Sequence, residues 1–285
     1  MIYKHASLQL EQFEERTNLS TSGKLIDILP PPIVSTVQTS PSTPAFVVGS
    51  GEGTSSFVDV YSSTGGLLSV INPFPGYNGP LSVALDTVDP AGPQVLIVGT
   101  GVGSSQVKIY NAESGAQLAS FEVFAGFTGG VSVTVGDVNN DGYGDIIVGA
   151  GDGGQSRVNV FSGKNLSLLQ SFLAYPGYSG AVNVAAGDVN GDGSVDIITG
   201  TADYSSHVKV FNLTTGAVLQ SFFAFSGYNG GVTVASGNLG NGSDDIVVGA
   251  ATGTSAVKDF DGRTNVLNAS FLAFPGFDGG VRVGV

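Results

Sequence analysis

The 285-residue sequence contains no cysteine and no tryptophan, a single methionine and only two histidines. The absence of cysteine excludes a disulfide framework, a thiol nucleophile and thiolate-bound zinc. Basic residues are scarce: 10 Lys and Arg stand against 23 Asp and Glu, a net charge of −13. So acidic a chain repels a phosphate backbone, which excludes nucleic acid as a partner. No apolar run approaches the eighteen residues that a membrane-crossing helix needs. The N-terminus also lacks the continuous apolar stretch of a cleavable export signal. With only His5 and His207 available, a serine–histidine–acid triad is not suggested. Carboxylate pairs of the glycosidase kind leave a lyase or hydrolase reading open.

What is abundant is glycine, at 44 residues, together with Val, Ile, Phe and Tyr in a chain that is 41% hydrophobic. β-Branched and aromatic side chains suit a pleated sheet. A Gly-aromatic pair recurs at Gly76-Tyr77, Gly126-Phe127, Gly177-Tyr178, Gly227-Tyr228 and Gly276-Phe277, at spacings of 50, 51, 50 and 49 residues. An aliphatic run ending in glycine recurs in phase at Gly49, Gly99, Gly149, Gly200 and Gly249. A period of this size marks a supersecondary unit.

Each unit reads as four short strands. Val131 to Val135 alternates apolar and polar residues, Ile146-Ile147-Val148 is a continuous apolar run, Val158 to Phe161 alternates again, and Leu168 to Tyr175 completes the set. Alternation marks a half-buried strand and the unbroken run a buried one. Four strands per unit at this period predict an all-β fold, a five-bladed β-propeller. The chain starts at a second strand and stops at a first strand. Val281 to Val285 is therefore predicted to complete the blade begun by Phe46 to Asn72, so that no sheet edge is left open. A piece of a longer array is the second reading. Residues 1–45 are read separately: Ser7 to Leu19 as one short helix resembling leader-like segments of large bacterial surface proteins, then a linker rich in Pro, Ser and Thr. Residues 46–285 form the propeller domain.

Two connections between first and second strands carry chemistry. They read Asp137-Val-Asn139-Asn-Asp141-Gly142-Tyr143-Gly-Asp145 and Asp188-Val-Asn190-Gly-Asp192-Gly193-Ser194-Val-Asp196. Side-chain oxygens fall at positions one, three, five and nine, with glycine at six for the sharp turn. Calcium takes about six to eight hard oxygen ligands, and alternate residues of a tight loop can turn inward together. The backbone carbonyls of Tyr143 and Ser194 are predicted to supply position seven. The competing reading is a plain Asn-Gly or Asp-Gly turn; it does not require oxygen at the same four offsets in two copies. Neither loop is an EF-hand or a dockerin loop, because Val148 and Thr199 stand where the twelfth-position Glu belongs. Two calcium ions would bring the net charge from −13 to −9. The corresponding stretches Asp86 to Gln94 and Asn238 to Asp245 have lost ligand positions, and the blade joining the termini has no such loop.

Gly129 to Ala150 (GGVSVTVGDVNNDGYGDIIVGA) and Ala181 to Gly200 (AVNVAAGDVNGDGSVDIITG) resemble the FG-GAP repeat of integrin α-subunit propellers and of many bacterial surface proteins. The resemblance runs from Phe46 to Val285. It departs from the family at Gly129-Gly130, where Phe-Gly is usual, and at Gly151, where the family carries Pro. It implies calcium coordination by the loop residues named above. It also implies an extracellular or cell-surface, non-enzymatic module for binding or adhesion, monomeric, with a protein or polysaccharide partner. A carbohydrate-binding propeller is the alternative, for which Tyr77, Phe127, Tyr178, Tyr228 and Phe277 would have to be exposed.

Other features have plainer readings. Phe74, Phe124, Tyr175, Phe225 and Phe274, one per repeat, are predicted to pack between blades. Gly149 to Gly154 matches Gly-x-Gly-x-x-Gly, but a strand follows it where a dinucleotide site needs a helix. The five Asn-x-Ser/Thr sequons, at Asn18, Asn165, Asn212, Asn241 and Asn268, carry no information by themselves. Asp259 stands where other repeats have Val60, Ile109, Val160 and Val210; a locally weakened outer sheet is the expectation there.

Overall fold

The computed structural model describes residues 43–284 except Glu52, Thr54 and Asn241. The predicted helix over Ser7 to Leu19, the linker after it, His5, Asn18 and Val285 lie outside the described residues. Five antiparallel sheets follow one another along the chain. Blade 1 holds β1 (Pro44–Gly49), β2 (Val58–Ser62) and β3 (Leu67–Ile71). Blade 2 holds β4 (Leu81–Asp86), β5 (Val95–Thr100), β6 (Gln106–Asn111) and β7 (Gln117–Glu122). Blade 3 holds β8 (Val131–Gly136), β9 (Asp145–Ala150), β10 (Arg157–Phe161) and β11 (Leu168–Leu173). Blade 4 holds β12 (Val182–Gly187), β13 (Asp196–Thr201), β14 (His207–Asn212) and β15 (Ala217–Phe223). Blade 5 holds β16 (Val232–Gly237), β17 (Asp245–Ala250), β18 (Ala256–Phe260) and β19 (Leu267–Leu272). Strands pair only with their chain neighbours, so the chain is an all-β, five-bladed propeller. Its first strands line a central channel of about 1130 Å³.

The repeated sequence landmarks have mechanical meanings. The second strands are buried along their whole length in blades 2, 3 and 4, which is why they read as unbroken apolar runs. The glycine in each run is where the next blade nests. A Cβ at Gly99 would stand 2.6 Å from Val131 Cγ2, and one at Gly200 would stand 2.8 Å from Val232 Cγ2. Alternating residues of the second and third strands then interdigitate between blades, as Ile97 and Ile109 do with Val133 and Val148. Each such fully buried aliphatic side chain is worth roughly 1.5–3 kcal/mol.

The Gly-aromatic pair closes a tight turn. The glycine has φ of 71–89° in all five copies, and the aromatic N–H donates to the carbonyl three residues back, as from Tyr178 to Tyr175 at 3.0 Å. The two aromatics of each repeat meet edge to face at 5.6–6.2 Å. The packing role predicted for the first of each pair is seen at Phe74 and Tyr175, exposed by 6% and 5%, whereas Phe274 is 60% exposed. Lys108, Lys209 and Lys258 lie 5.0–5.1 Å over the rings of Phe74, Tyr175 and Phe225 in the preceding blade. Each also donates to a backbone carbonyl there.

A serine that sequence reading passed over is equally periodic. Ser56, Ser105, Ser156, Ser206 and Ser255 are buried, and each Oγ donates to the backbone carbonyl of Phe74, Phe124, Tyr175, Phe225 or Phe274 at 2.6–3.0 Å. It pins the third-strand entrance to the turn that ends the fourth strand.

The predicted strand over Val281 to Val285 is not formed among the described residues: Val281–Gly284 carry no strand, and the sheet of blade 1 has three strands. Val281 N–H donates to Ala250 O at 2.8 Å, and Val281 and Val283 lie against Gly249 as Val131 and Val133 lie against Gly99. The segment is thus held from the blade 5 side, while Phe46 and Val48 of β1 are 46% and 54% exposed. Asp259 lies in β18 opposite Val247 and Ala269, with Oδ1 buried and without a hydrogen-bond partner. Burial, and secondarily Asp245, push its carboxyl above the ordinary range.

Removal of one periodic serine tests this frame. Ser156→Ala leaves the Tyr175 carbonyl and N–H without their buried partner, at a cost of about 1–3 kcal/mol. The midpoint of urea unfolding is expected to fall accordingly, and to stay unchanged for Ser114→Ala in the exposed β6–β7 turn.

Candidate metal loops

Both candidate loops bridge a first strand and a buried second strand, at the same end of blades 3 and 4. In the first, Asp137 Oδ1 accepts the Asp141 N–H at 3.1 Å and Oδ2 accepts the Gly142 N–H at 2.9 Å. Asn139 Oδ1 accepts the same Asp141 N–H at 2.9 Å, and Asp141 Oδ1 accepts the Tyr143 N–H at 3.0 Å. The second loop repeats every bond. Asp188 accepts from Asp192 and Gly193 at 3.0 and 2.9 Å, and Asn190 and Asp192 accept from Asp192 and Ser194, both at 2.8 Å. Gly142 and Gly193, with φ of 86° and 87°, permit the reversal. Positions one, three and five therefore bring their oxygens to one small volume. At the seventh position it is the N–H groups of Tyr143 and Ser194 that bond within the loops, to Asp141 and Asp192.

The ninth residues stand apart. Asp145 and Asp196 are fully buried at the starts of β9 and β13. Asp145 Oδ1 accepts the Gly163 N–H at 3.2 Å and Oδ2 the Val138 N–H at 3.3 Å. Asp196 Oδ1 accepts from Asn212 Nδ2 at 2.9 Å, while Oδ2 is buried with no partner. Burial raises both carboxyls to about 6, helped by Asp141 and Asp137 in one case and by Asp192 and Asp188 in the other. Among the described residues no three acidic or histidine side chains close into a metal cluster. The set nonetheless fits a hard cation in kind: it is all oxygen, three carboxylates per loop, with one buried carboxylate oxygen left over.

Two neighbours were not foreseen. The sequence places no basic residue by these loops, yet a Cβ on Gly191 would collide with the Arg263 guanidinium, and Lys164 lies 5.1 Å over the Tyr143 ring. Both come from turns distant in sequence. Asp244, preceding Asp245, accepts the Asp188 N–H at 2.9 Å, and Asn140 Nδ2 donates to Ser194 Oγ at 2.8 Å, so the two loops touch. Within the degenerate loops Asp89 accepts the Ala91 N–H and Asn238 accepts the Gly240 N–H, both at 2.9 Å.

At the opposite end, the tyrosines of the Gly-aromatic turns are half-buried and their hydroxyls reach across to the next blade. Tyr77 OH meets Pro80 O at 3.3 Å and Val102 O at 3.2 Å; Tyr178 OH meets Ala181 O and the backbone and side chain of Asp203; Tyr228 OH meets Thr252 O. Burial and Asp203 push the Tyr178 hydroxyl well above its ordinary pKa. These hydroxyls latch one blade to the next. Phe277 is 50% exposed. His207 stacks on Phe223 at 4.6 Å, with Nε2 2.8 Å from Ser221 Oγ. Gly149 to Gly154 joins β9 to β10, a strand connector as read.

Residues 129–163, which contain the first loop, match the FG-GAP repeat. No curated protein matches the sequence. Among solved structures, one described as the mitotic checkpoint complex aligns at 14% identity and TM-score 0.52, covering 78% of this chain and 62% of that one. Sqt1 of Saccharomyces cerevisiae aligns at 15% identity and TM-score 0.53, covering 80% and 58%. This chain thus spans about three-fifths of the length of either, and at such identity the likeness concerns the fold alone. Repeat match and architecture agree: the chain is a five-bladed β-propeller whose residues 129–163 match the FG-GAP repeat.

Proposed function

We propose that this propeller is a non-enzymatic binding or adhesion module, stabilised by two calcium ions, in an extracellular or cell-surface setting like that of bacterial surface proteins. The observation that carries the reading is the buried carboxylate behind each loop. Asp145 and Asp196 are held in the interior beside two further loop carboxylates, and Asp196 Oδ2 has no donor. A divalent cation neutralises such a set. Asp137, Asn139, Asp141, the Tyr143 carbonyl and Asp145 would hold one ion; Asp188, Asn190, Asp192, the Ser194 carbonyl and Asp196 would hold the other. Extracellular calcium modules work with affinities of about 10⁻⁴–10⁻³ M, a range suited to loops as exposed as these.

Partner recognition is assigned to the end away from the calcium loops, built by Thr100 to Gln106, Gly151 to Ser156 and Pro176 to Gly180. We also propose that Val281 to Val285 closes the ring against β1. The inner-strand belt supports this. Ser82, Ser132, Asn183 and Thr233 each bond the backbone of the next inner strand, and the last of them reaches Val281 O at 2.9 Å.

Two outcomes are expected. Millimolar calcium raises the melting temperature of chelator-stripped protein, and Asp141→Ala with Asp192→Ala removes the rise; an unchanged melting temperature in the wild type counts against calcium. The second concerns pH without calcium. A carboxyl raised from 3.8 to about 6 in the folded state contributes stability that is fully present below the unfolded value and lost as pH rises through about 6. Calcium-free protein should therefore weaken between pH 4 and 7, and Asp145→Asn with Asp196→Asn should flatten that slope. A wild-type slope of opposite sign in this window would contradict the burial argument.

A further inference from the structure

The junction between blades 2 and 3 departs from its neighbours at two equivalent positions. Where the junctions after blades 1, 3 and 4 have a latching tyrosine (Tyr77, Tyr178 or Tyr228), this one has Phe127, with no hydroxyl to reach the next blade. Where they have a lysine over the ring, this one has Asn159, 7% exposed, its Oδ1 without a partner. Phe124 accordingly has no ammonium over it. What remains is a cleft of about 220 Å³ between the Phe124–Phe127 pair and the glycine-rich connector. Gly153 and Gly154 let the backbone lie beside the rings: a Cβ on Gly154 would stand 3.2 Å from Phe127 Cζ. Gln155 and Arg157 complete the wall.

We propose that this cleft binds a single ring bearing a carboxylate. The volume lies below the roughly 300–1,000 Å³ of sites for drug-sized ligands, which limits the occupant to about one ring. Two phenyl groups, 5.8 Å apart and at 86° to one another, offer a face and an edge to an apolar ring surface. Arg157 supplies the charge. Its guanidinium donates only a long bond, 3.4 Å to Ser171 Oγ, and has no acidic partner among the described residues. A planar fork of donors matches a carboxylate in two-point contact. In a chain of net charge −13, an anion is retained only where such a cation is fixed locally. The Gln155 amide is placed to serve a second polar group on the ring. Asp152, in the same connector, does not line the cleft.

The test is amide NMR titration of the full chain with four probes: glucuronate and benzoate, which carry ring and charge, glucose for ring without charge, and acetate for charge without ring. Saturable shifts at Gly126–Thr128 and Gly153–Arg157 are expected with glucuronate, benzoate or both, and which of them binds tells a sugar acid from an aromatic acid. Glucose and acetate should bind at least about tenfold more weakly, as befits the loss of one charge-assisted pair or of the ring contact. Phe127→Tyr, which restores the residue found at three equivalent positions, adds a polar group to the apolar wall and should weaken the shifts with the melting temperature preserved. Arg157→Gln should do so by removing the charge, and decides the matter if the tyrosine variant does not fold. No saturable shift with either acid overturns the proposal. So does equal binding of glucose or acetate, or unaltered binding by the variants.

Discussion

The structure depends on how closely one blade can approach the next. The second strand of each four-stranded blade has glycine as its penultimate residue because the first strand of the following blade presses against that point; with a side chain at Gly99 or Gly249 the valine pair opposite could not seat. Everything else is set from that contact. It fixes where the third-strand lysines meet the preceding ring of aromatics, and how far a tyrosine hydroxyl must reach. It also sets where the first-to-second-strand loops emerge. Nesting is first a steric condition on the inner strands, so the loops at either end are free to vary. Variation there is what distinguishes blades 3 and 4 from the others.

The two oxygen-rich loops show the price of that freedom. A carboxylate at the start of a buried second strand would be expelled from the interior were the strand not held by its neighbours. Asp145 has two backbone N–H donors, and Asp196 has one side-chain donor and one empty oxygen. Burial moves both carboxyls toward the neutral form, to about 6. A bound cation would reverse that preference and turn an electrostatic cost into a restraint on the loop. That asymmetry between the loops also suits the second one to gain more from an ion, despite the Arg263 guanidinium beside Gly191.

Much of this was legible in the sequence because period and chemistry coincide. The Gly-aromatic turns, the aliphatic runs and their glycines gave blade number and strand order directly. The loop oxygens fell at positions where the structure brings the first three together. What escaped had one of two physical causes. Ser56 and its four equivalents recur as regularly as the glycines, but serine in a polar connector is unremarkable until its buried acceptor is seen. Arg263 and Asp244 come to the second loop across a blade boundary and Lys164 reaches the first from a later turn of its own blade, so no local spacing announces them. The terminal strand was inferred from counting strands, and counting says nothing about which neighbour holds Val281: here it is Ala250 and Thr233, with β1 left as an edge. Asp259 stands out in the sequence as an anomaly, and it is half-buried on β18 with one buried, unpartnered oxygen.

The most direct test of the account is to count the ions. Calorimetric titration of chelator-stripped protein with calcium should give two ions per chain, falling to one when either Asp141→Ala or Asp192→Ala is introduced alone. No heat of binding at millimolar calcium, or a count unaffected by those substitutions, would contradict it and leave the two loops as turns.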